Sequence, residues 1–153
     1  MDIEDLLVTD LVYADFKASS KKQALQNLSR RWAEVHGMND RLAMEKLLDR
    51  ERLGSTGVGK GVAIPHARIE GLTKISGVFA RLATPIDFDA VDDVPVDLIF
   101  MLFAPEDAGA DHLKALARVS RLLRDSAVCD KFRQTTDASA LYAMIVQPAS
   151  NAA

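Results

Sequence analysis

An α/β layered domain is the fold class this sequence predicts, and three observations predict it. Helical apolar periodicity appears before, between and after short extended runs, which excludes an all-helical bundle. One of those runs, VDLIFMLFA from Val96 to Ala104, is apolar nearly throughout, as expected of a strand covered on both faces. The chain has 153 residues and is 48% hydrophobic, the size and apolar content of one domain with a substantial core.

The elements follow in chain order. Residues 10–16, DLVYADF, predict a first strand, because Leu11, Val12 and Tyr13 favour extended backbone and polar residues bound the run. A helix follows, capped by Ser19 or Ser20, with Leu25, Leu28, Trp32 and Val35 on one face and Gly37 as its stop. Asn39 or Asp40 caps a second helix, whose apolar side carries Leu42, Met44, Leu47 and Leu48 and which ends near Arg52. From Gly54 to Gly61 four glycines fall in eight residues, which predicts a loop with unusual backbone angles. A short strand, Val62 to Ile64, comes next, and a loop around Pro65 and Gly71 leads on to KISGVFARLA and VDLIFMLFA as two further strands. Pro85 and Pro95 bracket the connection between those two, and Asp87, Asp89, Asp92 and Asp93 make it a solvated loop. The last third reads as helices starting near Asp111, with Leu113, Leu116, Leu122 and Leu123 at helical spacing. Asp137 caps the last helix, where Leu141, Tyr142 and Ile145 face inward. No internal repeat occurs, and a polar, frayed tail is expected over residues 147–153, so one domain spans 1–153.

Bulk charge narrows the function classes. Lys and Arg number 19 against 22 Asp and Glu, for a net charge of −3, and no basic block is present, so nucleic acid is not an expected partner. The N-terminus is acidic, unlike a secretory signal, and no apolar run is long enough to insert in a membrane. Cys129 is the single cysteine, so no intrachain disulfide can form. Together these features predict a cytoplasmic protein.

Two familiar site types fail on their details. GSTGVGKG, from Gly54 to Gly61, nearly spells a nucleotide-binding P-loop, but Gly61 stands where a magnesium-binding hydroxyl is needed. The loop also follows a helix and enters a strand, the reverse of the P-loop order. A zinc site built from His66, His112 and Asp111 lacks the short ligand spacing that marks such sites. His36, just before Gly37, reads as an ordinary helix-end residue near free carbonyls and the negative dipole end. Cys129, between Val128 and Phe132, reads as a small core residue with nothing nearby to activate it. No cofactor and no metal are expected.

His66 differs in what precedes it. In VAIPHA an apolar strand runs into a proline, whose fixed φ and missing N–H end the pairing and hold the next side chain at the strand's end. A neutral imidazole is a nitrogen nucleophile that can be phosphorylated near neutral pH without a metal. An imidazole that merely hydrogen-bonds at a strand end fits the same local pattern.

The run RERLGSTGVGKGVAIPHA, Arg50 to Ala67, resembles the phosphorylation-site signature of the fructose and mannitol class of enzyme IIA proteins of the phosphoenolpyruvate-dependent phosphotransferase system. Within that class it is most similar to the nitrogen-regulatory branch, and the similarity extends from the first strand to the last helix. The resemblance implies a layered sandwich with a mixed β-sheet flanked by helices. It implies that His66 is the phosphorylated residue, that Arg50, at the end of the preceding helix, belongs to the site, and that His112 is its second histidine. It also implies a histidine-containing phosphocarrier protein as donor.

Elementary chemistry agrees with those roles. Arg50 offers a planar, permanently charged fork for phosphoryl oxygens. His112 lies just inside a helix start, where free N–H groups and the positive dipole end favour an anion. Backbone N–H groups of the glycine run, notably at Gly57 and Gly59, form a candidate phosphate nest, with Ser55 and Thr56 as candidate hydroxyl donors. Three functions are open. A regulatory enzyme IIA would change its binding to target proteins, which the sequence does not name, with its phosphorylation state. A sugar-specific enzyme IIA would pass the phosphate to a cysteine-bearing IIB domain. An interaction module would keep the fold without exchange. The first is expected, because no transporter or cysteine-bearing domain is attached and Arg50, His66 and His112 are all present.

Overall fold

The apolar run at 96–105 becomes the central strand of a six-stranded mixed sheet in the computed structural model, which describes residues 2–147. The expected tail lies beyond the described residues from Pro148 onward. The strands are β1 (Val12–Phe16), β2 (Gly57–Gly59), β3 (Val62–Ala63), β4 (His66–Ile69), β5 (Ser76–Ile86) and β6 (Val96–Pro105). The helices are α1 (Lys21–His36), α2 (Asp40–Arg52), α3 (Ala110–Arg124), α4 (Ser126–Arg133) and α5 (Ala138–Ile145). Two 3-10 turns, Ile3–Asp5 and Thr9–Leu11, precede β1. None of the described helices is long and apolar enough to cross a membrane.

The strand order is β1-β5-β6-β3-β2, with β4 also pairing with β6. β5 and β6 run antiparallel, whereas β1 lies parallel to β5, and both β3 and β4 lie parallel to β6. Alternation along β6 splits the core in two. Ile99, Met101 and Phe103 join Leu25, Leu28, Trp32 and Leu47 of α1 and α2 on one face. Leu98, Phe100, Leu102 and Ala104 join Val119, Phe132 and Leu141 of the three C-terminal helices on the other. The sheet is therefore buried on both sides, in three layers. Trp32 anchors the first layer by stacking on Phe103, ring centroids 3.9 Å apart, and by donating its indole N–H to Ser76 Oγ at 2.8 Å.

The helix ends follow their capping residues. The Ser20 hydroxyl accepts from the Gln23 N–H, the Asn39 side chain from Leu42, and the Asp137 carboxylate from Ala140. Gly37 closes α1 in the left-handed region at φ 66°.

Five details depart from the sequence reading. The glycine run has the unusual backbone angles expected, with Gly54, Gly59, Lys60 and Gly61 at positive φ, but it forms a tight hairpin of β2 and β3 rather than a loop alone. Pro65 interrupts the sheet for two residues without ending it, because β4 resumes the pairing with β6 at His66. Pro85 lies inside β5 rather than after it, in the stretch where the register against β6 shifts between Arg81 and Ile86. Val35 is exposed, because the small residues Ala24, Ser29 and Ala33 complete the buried stripe of α1 and leave it to one side. Leu113 is also exposed, at 65%, because the inward stripe of α3 runs through His112, Ala115, Val119 and Leu123.

Candidate functional site

The break at Ile64 and Pro65 is what builds the site. There Ile64 donates its N–H to the Thr56 carbonyl of the hairpin, and Leu102 of β6 donates to the Pro65 carbonyl at 2.9 Å. His66 opens β4 and folds its ring back so that Nδ1 lies 2.9 Å from the Ile64 carbonyl oxygen. A carbonyl only accepts, so Nδ1 carries the proton and Nε2 carries the lone pair. The Arg50 guanidinium reaches that same Nε2 from the last turn of α2, Nε to Nε2 at 3.2 Å. Its Nη1 donates to the Gly54 carbonyl at 2.9 Å, which fixes the fork.

His112 faces His66 from the first turn of α3, with ring centroids 5.7 Å apart and the rings nearly perpendicular. It is 5% exposed, because the inward stripe of α3 runs through His112 rather than through Leu113. Its Nδ1 accepts from Arg68 Nε at 3.2 Å, and its Nε2 is buried and has no hydrogen-bond partner among the described residues. Arg68 sits two residues after His66 on β4, so both side chains leave the strand on one side.

Both imidazoles are held neutral. Burial pushes the His66 pKa below its ordinary 6.5, and the Arg50 charge adds to this, against the Ile64 carbonyl and Glu51, which act upward. His112 is lowered further, to about 4, by burial first and then by His66 and Arg68. The site thus presents one imidazole lone pair, a second imidazole with one unmet nitrogen, and two permanent cations, Arg50 and Arg68. That combination suits a group that bonds to nitrogen and carries negative charge.

Arg50, His66 and His112, picked from the sequence, come together here. Ser55, Thr56 and the Gly57 N–H have other hydrogen-bond partners, which counts against those three as a phosphate nest. Ser55 Oγ donates to the Phe88 carbonyl at 2.7 Å and accepts from the Gly57 N–H at 3.0 Å. The Thr56 N–H and hydroxyl both go to the Glu51 carboxylate, which also pairs with Lys21 at 2.9 Å. Gly57 backs onto Ala90, and a Cβ on Gly59 would stand 3.2 Å from the Asp92 carboxylate, which accepts from the Lys60 N–H. The hairpin braces the strand that carries His66. Sequence reasoning missed Arg68, the Ile64 carbonyl and the Gly54 carbonyl. Only Arg68 left a signal, its two-residue spacing from His66, and that signal needed a strand continuing past Pro65.

The other singled-out residues lie apart from this chemistry. Cys129 is buried on α4 with Sγ 3.2 Å from the Leu123 carbonyl, and burial raises its thiol pKa, so it is a packing residue. His36 ends α1 beside Trp32, ring centroids 5.5 Å apart.

Comparison with known proteins identifies the family. The family model described as "Phosphoenolpyruvate-dependent sugar phosphotransferase system, EIIA 2" matches residues 5–147. A "Nitrogen regulatory protein" of Bradyrhizobium diazoefficiens is 53% identical over 100% of both chains. A "PTS system fructose-specific EIIA component" of Haloferax volcanii is 37% identical over 85% of each chain. The crystal structure of nitrogen regulatory protein IIA-Ntr from Neisseria meningitidis superposes with a TM-score of 0.85 at 33% identity, covering 93% of this chain and 97% of that one. With a motif from Arg50 to Ala67, a three-layer mixed-sheet fold and full-length similarity all in agreement, the chain belongs to the EIIA 2 family of the phosphoenolpyruvate-dependent sugar phosphotransferase system.

Proposed function

We propose that Nε2 of His66 takes a phosphoryl group from a histidine-containing phosphocarrier protein, and that the chain acts as a nitrogen or metabolic regulatory component of the phosphotransferase system in the cytoplasm. The observation that carries the chemistry is the oriented lone pair: Nδ1–H is bound to Ile64, Nε2 faces Arg50, and the ring of the second histidine lies 5.7 Å away. In the transfer, the Nε2 lone pair forms the new N–P bond while the donor's N–P bond breaks, its electron pair returning to the donor imidazole. His66 keeps its Nδ1–H throughout, so it releases no proton. The resulting imidazolium stays bonded to the Ile64 carbonyl, and Arg50 turns its N–H from the nitrogen to a phosphoryl oxygen. Positioning and charge stabilisation supply the catalysis, with no cofactor.

The regulatory role is supported by full-length similarity to the Bradyrhizobium nitrogen regulatory protein. A second reading, donation to a cysteine-bearing IIB domain during sugar uptake, is favoured by the similarity to the Haloferax fructose-specific component. Incubation with phosphoenolpyruvate, the first enzyme of the system and its phosphocarrier is expected to add one phosphate, and His66→Ala to abolish it. Unchanged labelling of that variant overturns the assignment. Efficient onward transfer to a fructose-class IIB domain would replace the regulatory reading by the sugar-uptake one.

A further inference from the structure

A neutral imidazole such as that of His112 can carry its proton on either nitrogen. Arg68 closes that choice. A guanidinium has donors only, so the nitrogen 3.2 Å from Arg68 Nε must accept, and that nitrogen is Nδ1. The single proton of His112 is therefore on Nε2. This N–H is buried, has no partner among the described residues, and belongs to a ring 5.7 Å from the His66 ring. A donor left unmet inside the protein is a local cost that a phosphoryl oxygen on His66 would relieve.

We propose that Arg68 is a positioning residue that locks His112 in the Nε2–H tautomer, so that His112 meets the phosphoryl group as a neutral hydrogen-bond donor. The other tautomer would aim a lone pair at the phosphoryl oxygens and repel them. The inference rests on the reading of His66 as the accepting residue. The fold supports the arrangement from both sides. Strand alternation places Arg68 beside His66, and the inward stripe of α3 holds His112 against it. The Arg68 residue itself is largely exposed, so its removal leaves both apolar cores intact.

The test reads the tautomer and the transfer separately. In ¹⁵N-histidine-labelled, unphosphorylated protein, long-range ¹H–¹⁵N spectra are expected to show His112 as Nε2–H, and Arg68→Ala to move it to a mixture of tautomers. Phosphoryl uptake by His66 in Arg68→Ala is expected to slow about tenfold or more, the scale for losing one oriented donor at a developing charge. In a His112→Ala background, the same substitution should cost markedly less, because Arg68 acts chiefly through His112. The proposal is overturned if His112 keeps its tautomer in Arg68→Ala, if uptake is unchanged there, or if the penalty persists in full without His112. The spectra need no phosphate, so they judge Arg68 even if His66 takes up none. That last result would instead remove the proposed function.

Discussion

His66 is held at both nitrogens, and that decides its reactivity at the scale of single residues. Because burial, followed by the Arg50 charge, lowers its pKa below 6.5, the Nε2 lone pair stays available as the solution turns mildly acidic. The midpoint of the decline in phosphoryl acceptance with falling pH should therefore lie below 6.5; a rate profile with its midpoint above 6.5 would contradict this. Arg50 serves two partners with one fork, His66 through Nε and Gly54 through Nη1. A lysine has no such fork, so Arg50→Lys should slow uptake by about tenfold or more, the worth of one charge-assisted hydrogen bond, in a single-turnover assay. Arg50 and His66 were legible because the motif from Arg50 to Ala67 contains them, and His112 because the resemblance extends past the motif to the helix start where it stands. Arg68 was not, since ending the strand at Pro65 removed the alternation that pairs it with His66. The Ile64 carbonyl was equally hidden, because a backbone group leaves no mark on side-chain identity.

Among the elements, the hairpin of β2 and β3 and the strand pair of β5 and β6 carry the site's geometry. Glu51, at the end of α2, ties that helix to Thr56 of the hairpin and to Lys21 of α1, so the turn that presents Arg50 is clamped to its neighbours. Caps were readable from the sequence, since Ser20, Asn39 and Asp137 each stand where a side-chain oxygen can meet a free N–H. Ser20→Ala should cost about 1 kcal/mol in urea denaturation, the usual worth of such a cap. The hairpin was harder to read, because glycine permits both loops and close approach. Gly59 and Gly61 answer a need for positive φ, whereas Gly57 answers Ala90, whose Cβ lies 2.8 Å from where a Gly57 Cβ would stand. Gly77 on β5 is tighter still: a Cβ there would lie 2.5 Å from the Met101 carbonyl of β6. Backbone in a paired strand cannot move aside, so Gly77→Ala should destabilise by about 1–3 kcal/mol. A denaturation midpoint equal to that of the unaltered protein would show that the pair can spread.

For the whole molecule, the fold class was legible because one continuous apolar strand and several amphipathic helices admit few arrangements other than a covered sheet. Strand order was not, since β1 pairs with β5 and β3 with β6 across long stretches of chain that no local pattern records. The same burial that builds the site links stability to pH. His36, His66 and His112 all have lowered pKa values, His112 to about 4. The unfolded chain takes up their protons near 6.5 and the folded one only at lower pH, so stability is fully present above 6.5 and is lost as pH falls toward about 4. Urea midpoints at about pH 7 and about pH 5 should show the decline, and His112→Gln should lessen it. The account stands most directly on which atom accepts the phosphate. Proton, nitrogen and phosphorus NMR of the phosphorylated protein should place the phosphoryl group on Nε2 of His66, with Nδ1–H still present and hydrogen-bonded. Phosphate on Nδ1 of His66, or on His112, would contradict it.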